Sequence, residues 1–359
     1  MFTETFRGMK CRRMGNSGLW VSEIGLGLWK WGDPSYDGSR VGDHDGFAIL
    51  DRALELGVIH WDTASSYNNQ AGNSERLLGR YFESRGSRAR DLTVLATKVT
   101  NPAKDEHEGE REFSPNERGA NRKYIMEGVE NCLRRLKTDR IDVLYLHSPT
   151  TLPDGSWETP LDETWAAMDD LVTQGKVQYL ALSNRNAAQI EEETAALATV
   201  ATNPSRRIIA VQNWYNLAER VKVATEGDDR SAGSEKDFLE YVAKKNIGLL
   251  PFFPLASGLL TGRYRKDNID DSGRIIQDGG PWKEMFLTEK NLALVEKLAE
   301  IADTKDCSIA QLAIAWLLSH DQVPSVIAGV TKIAQLEDNA KASGIEFTAD
   351  ELKEIEAIS

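Results

Sequence analysis

The sequence predicts an α/β fold: a single (β/α)8 TIM barrel with an N-terminal β-hairpin and long loops on its C-terminal face. Two observations carry this. Short β-rich runs alternate with helix-like segments eight times along the chain, which indicates parallel strands joined by crossover helices. No G-x-G-x-x-G lies between a strand and a helix, which weakens an open doubly wound sheet as the alternative. "GLGLWKWG" holds a G-x-G but lacks the third glycine.

The elements follow in order. "CRRMGNSGLWVSEIG" places two short strands around the turn GNSG, a hairpin over about residues 10–22 that would close the barrel bottom. "SEIGLGLW" (22–29) is the first barrel strand, and "DGFAILDRALELG" (45–57) has its apolar residues at helical spacing. "VIHWD" (58–62) is the second strand. "NSERLLGRYFES" (73–84) is a helix, with Ser74 as its expected cap. The third and fourth strands are "LTVLATKV" (92–99) and "IDVLYLH" (141–147), separated by the helix "NRKYIMEGVENCLRRL" (121–136). "LDETWAAMDDLVTQG" (161–175) is a helix ending on glycine, as helices tend to. "KVQYLALS" (176–183), "RIIAVQ" (207–212), "NIGLLPFF" (246–253) and "PSVIAG" (324–329) complete the eight strands. Trp316 repeats at helical spacing with Ile309 and Leu312, which predicts core packing.

Two stretches fit neither a helix nor a strand: the charged residues 100–120, and residues 254–287 with their glycines and prolines. Connections of that length in compact domains are often functional lids. "ATEGDDRSAGSE" (224–235) reads as a solvated surface loop.

The 359 residues are expected to form one domain, since barrels of this length are common. A net charge of -13 argues against a general nucleic-acid binder. Any anionic ligand must then be held by local cations or backbone N–H groups. Cys11, Cys132 and Cys307 are scattered, without metal-ligand spacing, and are expected to be reduced thiols; no metal site is expected. The N-terminus lacks an apolar h-region, and no run approaches the roughly 18 apolar residues of a membrane span. The chain is therefore expected to be cytoplasmic, with no membrane partner. The sequence is silent on oligomeric state.

Reactive groups of such barrels sit at the C-terminal ends of the strands. There the second strand ends in Asp62, with Tyr67 just beyond in "HWDTASSY"; the third ends near Lys98 and the fourth in His147. Each residue alone has an ordinary structural reading as a turn, surface or satisfied polar group. Together they are harder to dismiss, because an apolar strand has no structural need to end in Lys or His. Lys98 is placed to lower the phenol pKa of Tyr67, and Asp62 to hold Lys98. A neutral His147 is placed to hydrogen-bond a carbonyl. Such a site polarises a C=O and protonates its oxygen, and a nicotinamide is implied as hydride source.

"MGNSGLWVSEIGLGLW", "DTASSY", "ATKV", "LRRLKTDRIDVLYLH", "LVTQGKVQYLALSN", "VQNWYN", "PLASGLLTG" and "AGVTKIAQLEDNAKA" follow one another in the order seen in the aldo-keto reductase family, and the chain resembles that family over nearly its whole length. The resemblance implies a barrel that binds NADP(H), with NAD(H) as the alternative, extended across the rim. It implies that Tyr67 is the general acid/base, that Asp62 and Lys98 tune it, and that His147 orients the carbonyl. It further implies that Ser183, Asn184 and Gln212 hold the carboxamide and that Phe252 stacks on the nicotinamide. Gly27, Leu28 and Trp29 would line the first strand's exit beside Asp62. Pro254, Leu255, Gly258 and Leu260 would cradle the pyrophosphate. Gly329, Lys332, Gln335, Asp338 and Asn339 would meet the adenosine end, with Lys332 as the nearest cation. The substrate pocket would take in Trp29, Trp31, Tyr67, His147 and Trp157. The function implied is NADPH-dependent reduction of an aldehyde or ketone, with a small-molecule carbonyl substrate. The alternatives are a nucleotide-binding regulatory subunit resembling potassium-channel β subunits, and an NAD-dependent alcohol dehydrogenase working oxidatively.

Overall fold

The computed structural model describes residues 3–35, 38–104, 112–225 and 234–359. Its centre is eight parallel strands: β1 (Ile24–Gly27), β2 (His60–Asp62), β3 (Val94–Val99), β4 (Ile141–Leu146), β5 (Val177–Ser183), β6 (Ile208–Trp214), β7 (Gly248–Phe252) and β8 (Val326–Gly329). Each strand from β1 to β6 pairs with the next, and β8 returns to pair with β1. At the remaining seam, Leu249 N–H donates across to Gln322 O at 2.8 Å, just before β8. The sheet is a nearly closed (β/α)8 barrel, as the alternation predicts.

The period of two explains where the site comes from. Outward residues such as Trp61, Leu95, Leu144, Leu182 and Leu249 are buried in the core shared with the helices, as is Trp316. Inward residues Ala96, Tyr145, Ala181, Ala210, Leu250 and Ile327 fill the barrel itself. Two positions further on, each inward row leaves the apolar core. Those positions are Lys98, His147, Ser183, Gln212, Phe252 and Gly329; on β2 the row is polar one layer earlier, with buried His60 followed by Asp62. Register brings these ends level: Gly27 lies beside Asp62, Lys98 beside Tyr145 and Ser183 beside Gln212.

The hairpin plugs the barrel bottom, as expected. Met9–Arg13 and Trp20–Ser22 pair antiparallel, and Met14 and Val21 are fully buried among the inward-facing barrel residues. Gly15 makes this close approach possible: its φ is +54°, and a Cβ there would sit 2.2 Å from Ile209 O. A further strand, Thr3–Phe6, pairs on the outer side of Met9–Arg13. Its first three residues are exposed, so no apolar alternation marks it in the sequence.

Three other expectations change. Ser74 does not cap its helix, Asn73–Arg85: it lies inside the first turn with its Oγ bonded to Thr63 Oγ1 at 2.6 Å, and Gly72 takes the N-cap position with no side chain to bond. Residues 254–287 carry a tight turn at Ala256–Thr261, a two-stranded ribbon (Tyr264–Arg265 with Asn268–Ile269) and the helices Arg274–Asp278 and Gly280–Phe286. These elements are too short to show a period. The charged stretch 100–120 holds a 3-10 turn, Pro115–Glu117, capped by Ser114; its residues 105–111 lie outside the described residues, as do 226–233 of the expected solvated loop.

Candidate active site

Lys98 is the hub. Its Nζ donates to both carboxylate oxygens of Asp62 (2.7 and 2.6 Å), to Thr63 O (2.9 Å) and to Tyr67 Oη (3.0 Å). Tyr67 O–H lies 3.4 Å from Asp62 Oδ2, and Gln212 Nε2 donates to Asp62 Oδ1 at 2.9 Å. Lys98 and Asp62 are almost fully buried. The His147 ring meets the Tyr67 ring edge-on, with centroids 5.9 Å apart, and Ser66 Oγ lies 3.4 Å from His147 Nδ1. Asn184 Nδ2 donates to His147 O at 2.8 Å, while Ser183 Oγ donates to Gln212 O at 2.9 Å. The four rim residues, Ser183 and Gln212 on strands β5 and β6, and Asn184 just beyond β5 thus form one hydrogen-bonded set.

One electrostatic expectation is reversed. Burial, and then the Asp62 carboxylate, hold the Tyr67 phenol well above its ordinary pKa of 10.0. Lys98 does not lower it on balance: burial weighs most, and Asp62 sits on the ammonium at shorter range than the phenol does. The resting residue is therefore a phenol with a proton to give. Burial lowers the Lys98 pKa, and Asp62 opposes this. His147 is pushed well below 6.5 by burial and by the Lys98 and Arg185 cations, so its imidazole is neutral.

His60, one layer below Asp62, is fully buried, and burial pushes its pKa from 6.5 to about 4. Unfolded, it takes up a proton near pH 6.5; folded, only near pH 4. Between those values the unfolded chain binds more protons, so stability is expected to fall as pH drops, by up to ~3 kcal/mol at the acid end. Urea midpoints at pH 7 and pH 4.5 check this. His60→Gln should show a smaller fall than the parent; an equal fall would place the titration elsewhere.

A cleft of about 1020 Å³ opens over this set. It is lined by Gly27, Trp29, Trp31, Asp62, Tyr67, His147, Ser183, Asn184, Gln212 and Phe252 at the strand ends. It continues past Pro254, Leu255 and Gly258 to Gly329, Gln335, Asp338 and Asn339. The sequence pattern of the aldo/keto reductase family matches residues 23–359. The chain belongs to the aldo/keto reductase family. It is 33% identical over 354 residues to a probable voltage-gated potassium channel subunit beta of Oryza sativa subsp. japonica, covering 98% of this chain and 96% of that protein. It is 30% identical over 358 residues to the L-glyceraldehyde 3-phosphate reductase of Escherichia coli (strain K12), covering 98% and 93%. To aldo-keto reductase AMT2 of Alternaria alternata it is 31% identical over 361 residues, covering 96% and 90%. As an aldo/keto reductase it is an NAD(P)H-dependent oxidoreductase acting on carbonyl groups.

The reductase's cleft fits a long anionic dinucleotide. Ser257 Oγ is buried in the cleft wall with no partner among the described residues, a hydroxyl for a polar ligand group to satisfy. It sits where Ala256, Ser257 and Gly258 all take positive φ (+47°, +57° and +97°). Arg40, Arg263 and Arg274 also line the cleft, which answers the need for local cations in an acidic chain. Arg40 and Arg274 share Asp278, at 2.8 and 3.0 Å. The Arg274 guanidinium lies 4.7 Å from the Trp29 ring centroid, and Phe253 meets Trp29 edge-on at 5.3 Å.

Four expected site residues stand elsewhere. The Leu28 and Leu260 side chains are fully buried in the core shared with the helices, and the N–H of each bonds a backbone carbonyl, Asp62 O and Leu255 O. Lys332 is exposed and outside the cleft, at the N-cap of the helix Ile333–Lys341. Trp157 is also outside the cleft: its Nε1 donates to Glu192 at 2.7 Å and its ring covers Arg185. The arginines, Phe253 and Trp282 belong to the cleft and were not foreseen. Four of the five (Phe253, Arg263, Arg274, Trp282) lie in or beside the 254–287 segment, where no periodicity orders the side chains; Arg40 lies in the first strand's loop.

Proposed function

We propose that this protein reduces an aldehyde or ketone to the alcohol with NADPH, and that Tyr67 donates the proton. The convergence of Asp62, Tyr67, Lys98 and His147 on one cleft supports this best. With Ser66 Oγ, 3.4 Å away, as donor to Nδ1, the neutral His147 ring would keep Nε2–H to hydrogen-bond the substrate carbonyl. That bond draws electron density to the oxygen, and Tyr67 O–H passes its proton there. As the phenolate forms, the Lys98 ammonium beside it gains in interaction, and Asp62, braced by Gln212, keeps Lys98 in place. Bound reduced nicotinamide supplies the hydride. Ser183, Asn184 and Gln212 would hold its carboxamide and Phe252 would stack on its ring. Pro254, Leu255, Ser257 and Gly258 would pass beside the pyrophosphate, and Gly329, Gln335, Asp338 and Asn339 would receive the adenosine. In this reading the protein is a single-domain cytoplasmic enzyme.

Preference for NADPH rests on Arg263 and Arg274, since Lys332 is outside the cleft. NADPH is expected to bind at least tenfold more tightly than NADH, about 1.4 kcal/mol. Titration of both, followed by tryptophan fluorescence, measures this; equal affinity would remove the 2′-phosphate from the arginines' role. A second reading, a nucleotide-binding regulatory subunit, is favoured by the likeness to the plant protein named as a channel subunit. The intact proton-delivery set favours catalysis over it.

A further inference from the structure

Arg185 is a buried cation that this mechanism does not use. Its Nε donates to Glu193 Oε1 at 2.5 Å and its Nη1 to Ser183 O at 2.8 Å. The Trp157 ring covers the guanidinium, 5.8 Å from the centroid. Glu193, on the helix Ala187–Val200, is fully buried, and its Oε2 has no partner among the described residues. A buried ion pair is a poor source of stability, because desolvation offsets most of the attraction. Its geometry points to another use. The side chain reaches back two residues to Ser183 O. The main chain is tied to the neighbouring strand β6: Arg185 N–H donates to Asn213 Oδ1 at 3.1 Å, and Asn213 Nδ2 donates to Arg185 O at 2.7 Å. The chain is thereby wrapped around Asn184, which takes φ +60°, a left-handed conformation uncommon for a residue with a side chain. From that turn Asn184 Nδ2 holds His147 O.

We propose that Arg185, gripped by Glu193, is a positioning residue for the reaction: through the turn at Asn184 it fixes both the Ser183–Asn184 wall of the cleft and His147. The proposal rests on the reading of His147 as the group that orients the carbonyl. The same guanidinium helps to keep His147 neutral, after burial and Lys98. The other groups facing His147 are Tyr67 and Ser66.

The test is a chain carrying Arg185→Met and Glu193→Leu together, which removes the pair without stranding either charge. The double variant should melt cooperatively. Its kcat should fall by roughly 10- to 100-fold, the size of a small misplacement at a reacting group. The acid limb of its kcat/KM profile should move to higher pH, because one cation near His147 is gone. Arg185→Lys keeps a cation opposite Glu193 but lacks the planar fork that bonds Glu193 and Ser183 at once. It should lower kcat and leave the acid limb where it was. Parental kcat with a parental acid limb in the folded double variant overturns the proposal. If the double variant does not fold, parental kcat in Arg185→Lys overturns it instead. Tyr67→Phe measured alongside separates the two ideas. An inactive Tyr67→Phe protein beside an unimpaired Arg185 variant sinks only the role of Arg185; an active Tyr67→Phe protein sinks the catalytic reading itself.

Discussion

Tyr67→Phe is expected to lower kcat by about 10²–10⁴-fold, the usual contribution of a positioned general acid. The change removes one oxygen and keeps the ring. Only the contacts at 3.0 Å to Lys98 and 3.4 Å to Asp62 are lost. The remaining partners of Lys98 are both Asp62 oxygens and Thr63 O, so the ion pair stays in place. Cofactor affinity should hardly change, because the lost proton serves the substrate. Steady-state kinetics with a reactive aldehyde, together with NADPH titration, reads both quantities. Near-parental turnover in the variant would remove Tyr67 from the proton-transfer step.

Lys98→Met is expected to impair both activity and fold. The methionine keeps the apolar stem in the inward row Val94–Ala96–Lys98 but strands Asp62, which is 2% exposed, with Gln212 and Tyr67 as its remaining partners. Breaking a buried pair by removing one partner typically costs about 3–5 kcal/mol. Urea denaturation should register a loss of that order, and Asp62→Asn in the same chain should recover part of it without restoring turnover. Loss of activity in Lys98→Met should not add to that of Tyr67→Phe, because both variants disable one proton-transfer unit. Unchanged stability in Lys98→Met would mean that Asp62 is neutral or hydrated in the folded chain.

The barrel and its reactive rim were legible in the sequence for one physical reason. A strand's inward row is apolar until it leaves the core, so a polar residue in phase with that row marks the exit. Ala96–Lys98, Tyr145–His147 and Ala210–Gln212 all follow this rule. What failed depended on direction or on short-range geometry. Leu28 and Leu260 are near the cleft in sequence, yet their side chains turn to the core. Trp157 offered a large apolar ring for a pocket, but its Nε1 found Glu192 on the helix Ala187–Val200. Lys332 is the cation nearest the adenosine end in the sequence, but the folded 254–287 segment brings Arg263 and Arg274 to the cleft. The pKa direction at Tyr67 is reversed because a pairwise view of Tyr67 and Lys98 leaves out, first, the burial of the phenol and, second, the Asp62 carboxylate paired with the ammonium. The helix cap failed for a related reason, since Ser74 turns toward Thr63 at the end of β2.

Turnover by the unaltered protein tests the central claim most directly. Purified protein is mixed with NADPH and a reactive aldehyde such as a nitrobenzaldehyde, and the loss of NADPH absorbance is followed alongside formation of the alcohol. Catalytic, stoichiometric conversion over many turnovers is the predicted result. NADPH binding with no conversion of any aldehyde or ketone offered would contradict it, and would make the cleft a nucleotide-binding site of a regulatory protein.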